Sequence, residues 1–443
     1  MEQESRMSIA SEITDLNTNL TAAKAAVTAK GGTTGNTGLA GLASEIANIP
    51  SGGTAVSEKD INFFDYDGTL VESWTLAELQ TKSALPSAPA HDGLTSQGWN
   101  WTLAELQAEN QKTNVGCLYM PTDGKTHIFV DVDADHLTPH LAIGLNGTAT
   151  IDWGDNTATT TLTGSSIDSG QGSFHTYASA GSYEVTIDIP EGSAGKIRGN
   201  DNYVAFLWKG EATQSALTLK NKAYAAQVQK IYIGARLNAI TGMNWCGLKY
   251  ITLHDAVTFP TDTSGGLNNR HFIYCSNLKF FAYPRSASAA IRMFNNCDNL
   301  ENISFPPNLA QITQAVYACN SIKKIFPPKS LNGEDFTMAI QNCKRLEETR
   351  IPTTIGAFSN AFPGCSNLTT LKMPQTITGF YANAIANCSR LWLLDFSDTT
   401  AIPSFNGTLD VSDGFQIRVP AALEATWKAT AGWSNYASYI VGV

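Results

Sequence analysis

Residues 296–306 read Asn296-Cys297-Asp298-Asn299-Leu300-Glu301-Asn302-Ile303-Ser304-Phe305-Pro306, and the phrase that begins at the cysteine keeps returning. Copies start at Cys246, Cys275, Cys297, Cys319, Cys343, Cys365 and Cys388, at intervals of 29, 22, 22, 24, 22 and 23 residues. Val228-Gln-Lys-Ile-Tyr-Ile233 has the same shape, with Ala225 in the cysteine slot. In each copy a leucine or isoleucine and two later apolar residues alternate with polar ones, which predicts a short strand with its apolar side inward. Pro284, Pro306, Pro327, Pro352 and Pro374 follow these strands and end their pairing. No such unit can bury its apolar face alone, so the copies must stack and share one continuous core. The cysteines then read as rungs of that core, because a free thiol behaves as a small buried hydrophobe. Their spacing of one repeat is unlike the paired Cys-x-x-Cys of a zinc site, and seven is an odd number for disulfides. Neither a metal nor a cofactor is expected.

A period of this length with Leu-x-x-Leu/Ile-x-Ile is the leucine-rich-repeat pattern. The fuller phrase, Asn-Cys-x-x-Leu-x-x-Ile-x-Ile-Pro, resembles the BspA-like leucine-rich repeats of microbial surface proteins. The end of the chain extends the likeness: Val419-Pro-Ala-Ala-Leu423, Trp427-Lys428, Trp433 and Tyr436 resemble that family's terminal strand and capping helix. The resemblance implies a solenoid over 201–443 that binds through its parallel-strand face. Strand alternation assigns Tyr250, Thr252, Phe280, Ala282, Asn302, Ser304 and Lys324 to that outward face, followed by Glu348, Arg350, Thr370, Lys372, Leu393 and Asp395. Exposed aromatics among polar residues suit a sugar or a protein ligand.

Upstream of the array, Thr148–Ile189 holds short alternating strands separated by turn residues. Trp153-Gly-Asp155, His175-Thr-Tyr177 and Gly181-Ser-Tyr183-Glu-Val185 occur there in order, and the run resembles polycystic-kidney-disease (PKD) domains, with Asn156 in place of a usual glycine. That implies an Ig-like sandwich over 126–200, with Trp153 in its core and Asp155 organising a turn. Asp131, Asp133, Asp135, His136 and His140 fail the EF-hand pattern, which wants glycine and glutamate where the chain has His136 and Ala142. The alternating Asp131, Asp133 and Asp135 are expected on the wet face of an edge strand.

Residues 58–125 carry a motif with two readings. Ile61-Asn-Phe-Phe-Asp65-Tyr-Asp67-Gly-Thr-Leu70 resembles the nucleophile signature of haloacid-dehalogenase-like phosphatases, which would make Asp65 nucleophile and magnesium ligand and Asp67 the acid/base. That fold needs a long run of alternating strands and helices after the motif. Instead Trp74-Thr-Leu-Ala-Glu-Leu-Gln80 recurs as Trp101-Thr-Leu-Ala-Glu-Leu-Gln107. Each copy holds Thr-x-x-Glu, a capping box that starts a short helix. A small α+β module with an Asp-Gly turn is the expected outcome, and no enzyme.

In residues 1–57, Ile9, Ile13, Leu16, Leu20, Ala23 and Val27 alternate at spacings of four and three, an a/d heptad seam. The segment is expected to be helical, for oligomerisation (a homo-oligomer, a trimer favoured) or docking, with Ser51-Gly-Gly-Thr54 as linker; the alternative is an amphipathic helix packed on its own chain. Met7-Ser-Ile-Ala-Ser-Glu-Ile-Thr-Asp-Leu16 and Thr37-Gly-Leu-Ala-Gly-Leu-Ala-Ser-Glu-Ile-Ala-Asn-Ile-Pro50 resemble the N-termini of phage tail and fibre proteins.

Composition sets the outer limits. At 443 residues the chain is too long for one ordinary domain. A hydrophobic share of 43% excludes global disorder, while a net charge of −10 argues against a nucleic-acid partner. Neither a secretion signal nor a membrane-length apolar run is visible, so no membrane partner is expected. The expected fold is multidomain and mainly β: N-terminal helices, an Ig-like (PKD-type) β-sandwich and a C-terminal leucine-rich-repeat solenoid. The expected function is that of a phage or phage-tail-like tail or fibre protein on the virion exterior. It would join other tail or baseplate proteins through its N-terminus and bind a host-surface glycan or protein. A bacterial adhesin and a purely structural decoration protein are the alternatives.

Overall fold

The computed structural model describes residues 58–197, 208, 210, 219–259, 271–333, 336–411 and 414–443. The heptad positions Ile9, Ile13, Leu16, Leu20 and Val27 lie outside them. Residues 58–443 form one compact unit.

Its first part is a four-stranded sheet: β1 (Ile61–Phe64), β2 (Leu70–Trp74), β3 (Leu94–Trp99) and β4 (Thr113–Pro121), in the order β2-β1-β4-β3. β1 runs parallel to β4 and antiparallel to β2. The turn after β1 is the Asp-Gly turn expected of Asp65–Thr69: Asp65 N–H donates to Thr69 O at 2.9 Å, and Gly68 supplies a φ of +89°. Both capping boxes form. They start α1 (Leu76–Thr81) at Thr75 and α2 (Leu103–Glu109) at Thr102, each with its glutamate side chain accepting from the cap's own N–H. Helices this short are marginal alone. Leu79 and Leu106 bury completely, joining Ile61, Phe63 and Trp99 in a small core.

Next come β5 (Thr126–Val132), β6 (His140–Asp152), β7 (Thr160–Phe174), β8 (Gly181–Asp188) and β9 (Ala194–Ile197), then α3 (Leu219–Ala226), β10 (Val228–Tyr232), β11 (Leu237–Ile240) and β12 (Tyr250–Thr252). One hydrogen-bonded sheet joins all these strands, in the order β11-β9-β6-β8-β5-β10-β12 with β7 on β6. Trp153 is buried, its ring stacked on His175 at 4.6 Å, and Tyr177 donates to Trp153 O. Asp155 accepts from the Thr157 N–H and hydroxyl and pairs with His175 at 2.8 Å. Against the penalty of burial, these bonds hold its carboxyl below the usual range. One expectation is corrected. β5 is no edge strand: it pairs with β8 on one side and β10 on the other. Only Asp131 of the acidic set lies on it, exposed and bonded to Ser182. Asp133 lies in the following turn, accepting from Asp135 N–H and His136.

β10 and β12 pair in parallel with Ile231 opposite Ile251, so the Val228–Ile233 stretch is a repeat as expected. From there the chain coils into a β-solenoid. One wall holds the strands that follow the cysteines, from Phe280–Ala282 and Asn302–Ser304 to Gln416–Val419. A second holds Ala289–Ile291, Gln311–Thr313 and, further on, Gly379–Tyr381 and Ser404–Asn406. A third, just before the cysteines, holds Phe272–Ile273, Phe294–Asn295, Val316–Tyr317 and Ile340–Gln341. The repeat cysteines point inward, buried and free. Several thiols donate to a carbonyl of an earlier rung, Cys275 to Met243 O and Cys388 to Phe362 O among them. Burial pushes Cys343 and Cys388 up to about 12, so both are thiols at neutral pH.

The residue before each repeat cysteine is left-handed: Trp245, Tyr274, Asn296, Ala318, Asn342, Gly364 and Asn387, with φ between +53° and +77°. There the chain turns the corner into the core. Asn and Gly bear this conformation cheaply; a bulky side chain pays about 1–2 kcal/mol.

At the far end the chain forms a helix, α4 (Glu424–Ala429), a 3-10 segment (Trp433–Tyr439) and a last strand, Ile440–Gly442, parallel to Gln416–Val419. Trp427 and Trp433 are fully buried there, the capping arrangement expected of this segment.

His271 marks a pH-sensitive point in the core. It is fully buried with no partner on Nδ1, and burial pushes its imidazole down to about 4. Below pH ~6.5 the unfolded chain takes up a proton that the folded chain refuses until about pH 4. Stability should therefore fall across that window by up to about 3 kcal/mol. Urea titrations at pH 7 and 4.5 check this: His271→Leu should lose less on acidification than the parent, and equal losses would refute it.

Candidate functional site

The strand wall assigned as the binding face is largely covered by the chain's own first module. Phe280, Ala282, Thr252 and Ser304 are buried rather than exposed. Phe64 packs on Phe280 with ring centres 5.2 Å apart, and Gly116 lies directly over Ala282. Trp101 Nε1 donates to Phe305 O at 2.7 Å, Asn100 Nδ2 to Tyr283 O at 2.9 Å, and Ser304 Oγ to Asn114 O at 2.7 Å. Asn302 accepts from Asn114, and Tyr250 meets the ring of Tyr66 edge-on. The charged positions are paired across the same seam: Lys324 with Glu58, Glu348 with Lys112, and Arg350 with Glu109. Arg285 adds a two-pronged pair with Glu105 at 2.9 Å. Burial pulls Arg350 down to about 10 and pushes Glu109 up, and each partner's charge opposes the shift. Of the assigned face, Leu393 is also buried. Thr370 and Lys372 stay exposed, with Asp395 partly so; Lys372 pairs with Asp398, and Asp395 accepts from Ser397 N–H.

The same module contains Asp65. It is 4% exposed; one oxygen accepts from Tyr66 N–H and the other meets His91 Nε2 at 2.7 Å. Asp67 caps the turn by accepting from Thr69 N–H. Both carboxylates are engaged in holding this turn.

The third wall offers a site instead. A groove of about 1090 Å³ runs along it, crossing five successive rungs from Trp245 to Asn342. At ~4.8 Å between neighbouring strands, its outer rungs stand about 19 Å apart. Tyr274 and Tyr317 line it, 42% and 39% exposed. Trp245 and Tyr274 stack at 3.9 Å with their planes 18° apart, and the Lys222 ammonium lies 3.8 Å from the Trp245 ring centre. Around these aromatics are the side-chain amides of Asn295, Asn296, Gln314, Asn320, Gln341 and Asn342. Arg292 and Lys344 line it as well, and Gln314 Oε1 accepts from Arg292 Nε at 2.7 Å. Among the described residues, none that lines it is acidic.

Sequence reasoning did not assign these residues to a site. The available signal was the slot before each cysteine. Where Asn296, Asn342, Gly364 and Asn387 suit the left-handed turn, Trp245 and Tyr274 put large aromatic rings on adjacent rungs against that preference.

Comparison with known proteins identifies the array. The BspA type leucine rich repeat region matches residues 243–359 and 337–406, in six copies. Residues 243–406 of the solenoid thus match BspA-type leucine-rich repeats. Among solved structures, a leucine rich cell surface protein from Faecalibacterium prausnitzii is 15% identical, with a TM-score of 0.24 over 42% of this chain and 63% of that one. A leucine-rich repeat protein from Bacteroides ovatus is 16% identical, with a TM-score of 0.21 over 43% of this chain and 56% of that one. The chain thus spans less than two thirds of the length of either. No curated protein matches it.

Proposed function

We propose that this chain is a non-catalytic recognition protein of a phage tail or phage-tail-like particle, meeting the host surface with its solenoid. The groove on the third wall carries the reading. It combines exposed aromatic rings with a dense set of amides on a rigid stack of strands, the arrangement that suits a sugar face and its hydroxyls. The tail-like phrases at Met7–Leu16 and Thr37–Pro50 support attachment to a particle, as a homo-oligomer on the virion exterior. The Trp153, His175 and Tyr177 cluster supports a PKD-type spacer between the two ends. A bacterial surface adhesin is the second reading, favoured by the repeat class itself.

Labelled full-length chain applied to a panel of bacterial cells tests the recognition role. Some strains should be stained, and a Tyr274→Ala/Tyr317→Ala double variant should stain those strains about tenfold less at equal concentration. Equal staining by the variant, or none by the parent chain, would refute the reading. Antibody to the repeats separates the two settings: label on tail appendages supports the particle, label confined to the producing cell's envelope supports the adhesin.

A further inference from the structure

We infer that the groove takes a negatively charged glycan, one whose sugars carry carboxylate or phosphate groups. This rests on reading the groove as the recognition surface, and it adds the chemical class of the ligand.

Three observations converge. The chain carries a net charge of −10, yet the described residues that line the groove include Lys222, Arg292 and Lys344 and no aspartate or glutamate. The charges on this described lining thus run opposite to the balance of the chain as a whole. The cations are also spread along the groove: Lys222 beside the Trp245 rung, Arg292 on the rung of Cys297, and Lys344 just after Cys343. That spacing suits charges that recur along a polymer better than a single ion. Finally, aromatic and amide groups lie between the cations. Tyr274 and Tyr317 stand on non-adjacent rungs, about two strand spacings or ~10 Å apart. Flat apolar rings accept the C–H face of a pyranose, while the planar amides of Asn295, Gln341 and Asn342 can donate to and accept from ring hydroxyls. An acidic polypeptide would use the cations but has no comparable flat face for the tyrosines.

The Lys222 ammonium over Trp245 is part of the same device. Held by the ring, it stays in the groove and loses less freedom on meeting an anion than a loose lysine would.

The test uses the full chain with four probes: oligogalacturonate, its methyl ester, a phosphodiester-linked teichoic polymer, and poly-L-glutamate. Binding to oligogalacturonate or to the teichoic polymer is expected, the better of the two telling carboxylate from phosphate. The methyl ester should bind at least tenfold more weakly than the acid, if carboxylate is the preferred charge. Lys222→Gln/Lys344→Gln and Tyr274→Ala should each weaken binding to the preferred polymer about tenfold, with an unchanged melting temperature. Binding should also weaken steeply as salt is raised. Poly-L-glutamate binding equally well and unaffected by Tyr274→Ala would overturn the proposal in favour of an acidic protein. Equal binding of acid and methyl ester, with none to the teichoic polymer, would overturn it in favour of a neutral glycan. If none of the probes binds while cell staining is still lost in the double tyrosine variant, the anionic class falls and surface recognition stands. If the polyanions bind in the expected manner but no cell is stained, the ligand class stands and the recognition role falls.

Discussion

Trp433→Ala is expected to loosen the far end of the solenoid, at a cost of about 3–5 kcal/mol. Trp433 is fully buried where the 3-10 segment meets the last rungs. Its ring contacts Phe405 at 4.6 Å, Trp427 at 4.8 Å, Phe396 at 5.3 Å and Phe380 at 5.7 Å. Its Nε1 donates to Pro403 O at 2.8 Å. Removing it empties a site walled by aromatic rings that cannot close over the gap, and leaves a carbonyl without its donor. In a stack where each rung touches only its neighbours, the damage should be graded. Hydrogen exchange should quicken most at 404–406, 416–419 and 440–442 and fade toward Phe272. Trp427 is the internal control. It is as deeply buried, but its Nε1 has no partner. Trp427→Phe should therefore cost less than Trp433→Phe, because only the second gives up a hydrogen bond. Uniform exchange along the array, or equal costs for the two phenylalanine variants, would contradict this account.

Gly116→Val is expected to push the first module off the strand wall. A Cβ at Gly116 would lie 2.3 Å from Ala282 Cβ, 3.1 Å from Phe280 Cζ and 3.3 Å from Ala282 Cα. β4 is held between β1 and β3 and cannot retreat alone. The clash must open the seam or distort both walls, and the penalty should reach or exceed the ~1–3 kcal/mol typical of overpacking. Gly116→Ala is the gentler probe, and Ala282→Gly should restore much of what it loses. Opening is read out by dye binding to newly exposed Phe280 and by faster exchange at 302–304. A Gly116→Ala defect that Ala282→Gly leaves unchanged would place the strain elsewhere.

Both results turn on the parts of the fold that sequence reveals unequally. The rung register was legible because Leu300, Ile303 and Cys297 recur at nearly one period, and burial forces each to the same side. The capping boxes at Thr75 and Thr102 were legible because their partners lie three residues away. The fate of the strand wall was not. Which residues face outward follows from alternation, and Phe280 and Ser304 do face outward from the solenoid. What covers them is set by contacts such as Trp101 to Phe305 and Asn114 to Ser304, across 204 and 190 residues of sequence. No local pattern reports such a pairing. β5 was misjudged for the same reason, since its second neighbour, β10, belongs to the repeats. The groove had a local signal, the aromatic residues in left-handed slots, but its meaning depends on five rungs lining up.

The seam between module and wall also divides the array into two stretches with different freedom to change length. From Tyr250 to Arg350 the module meets the rungs one by one, so inserting or deleting a whole repeat there would throw every later contact out of step. Beyond Arg350, among the described residues, the strand pairings join rung to rung as far as the cap at Trp427 and Trp433. Copies can be gained or lost in that distal stretch without disturbing either the seam or the five rungs of the groove. The architecture thus separates a fixed gauge, which carries the groove, from a telescoping portion that sets how long the array is.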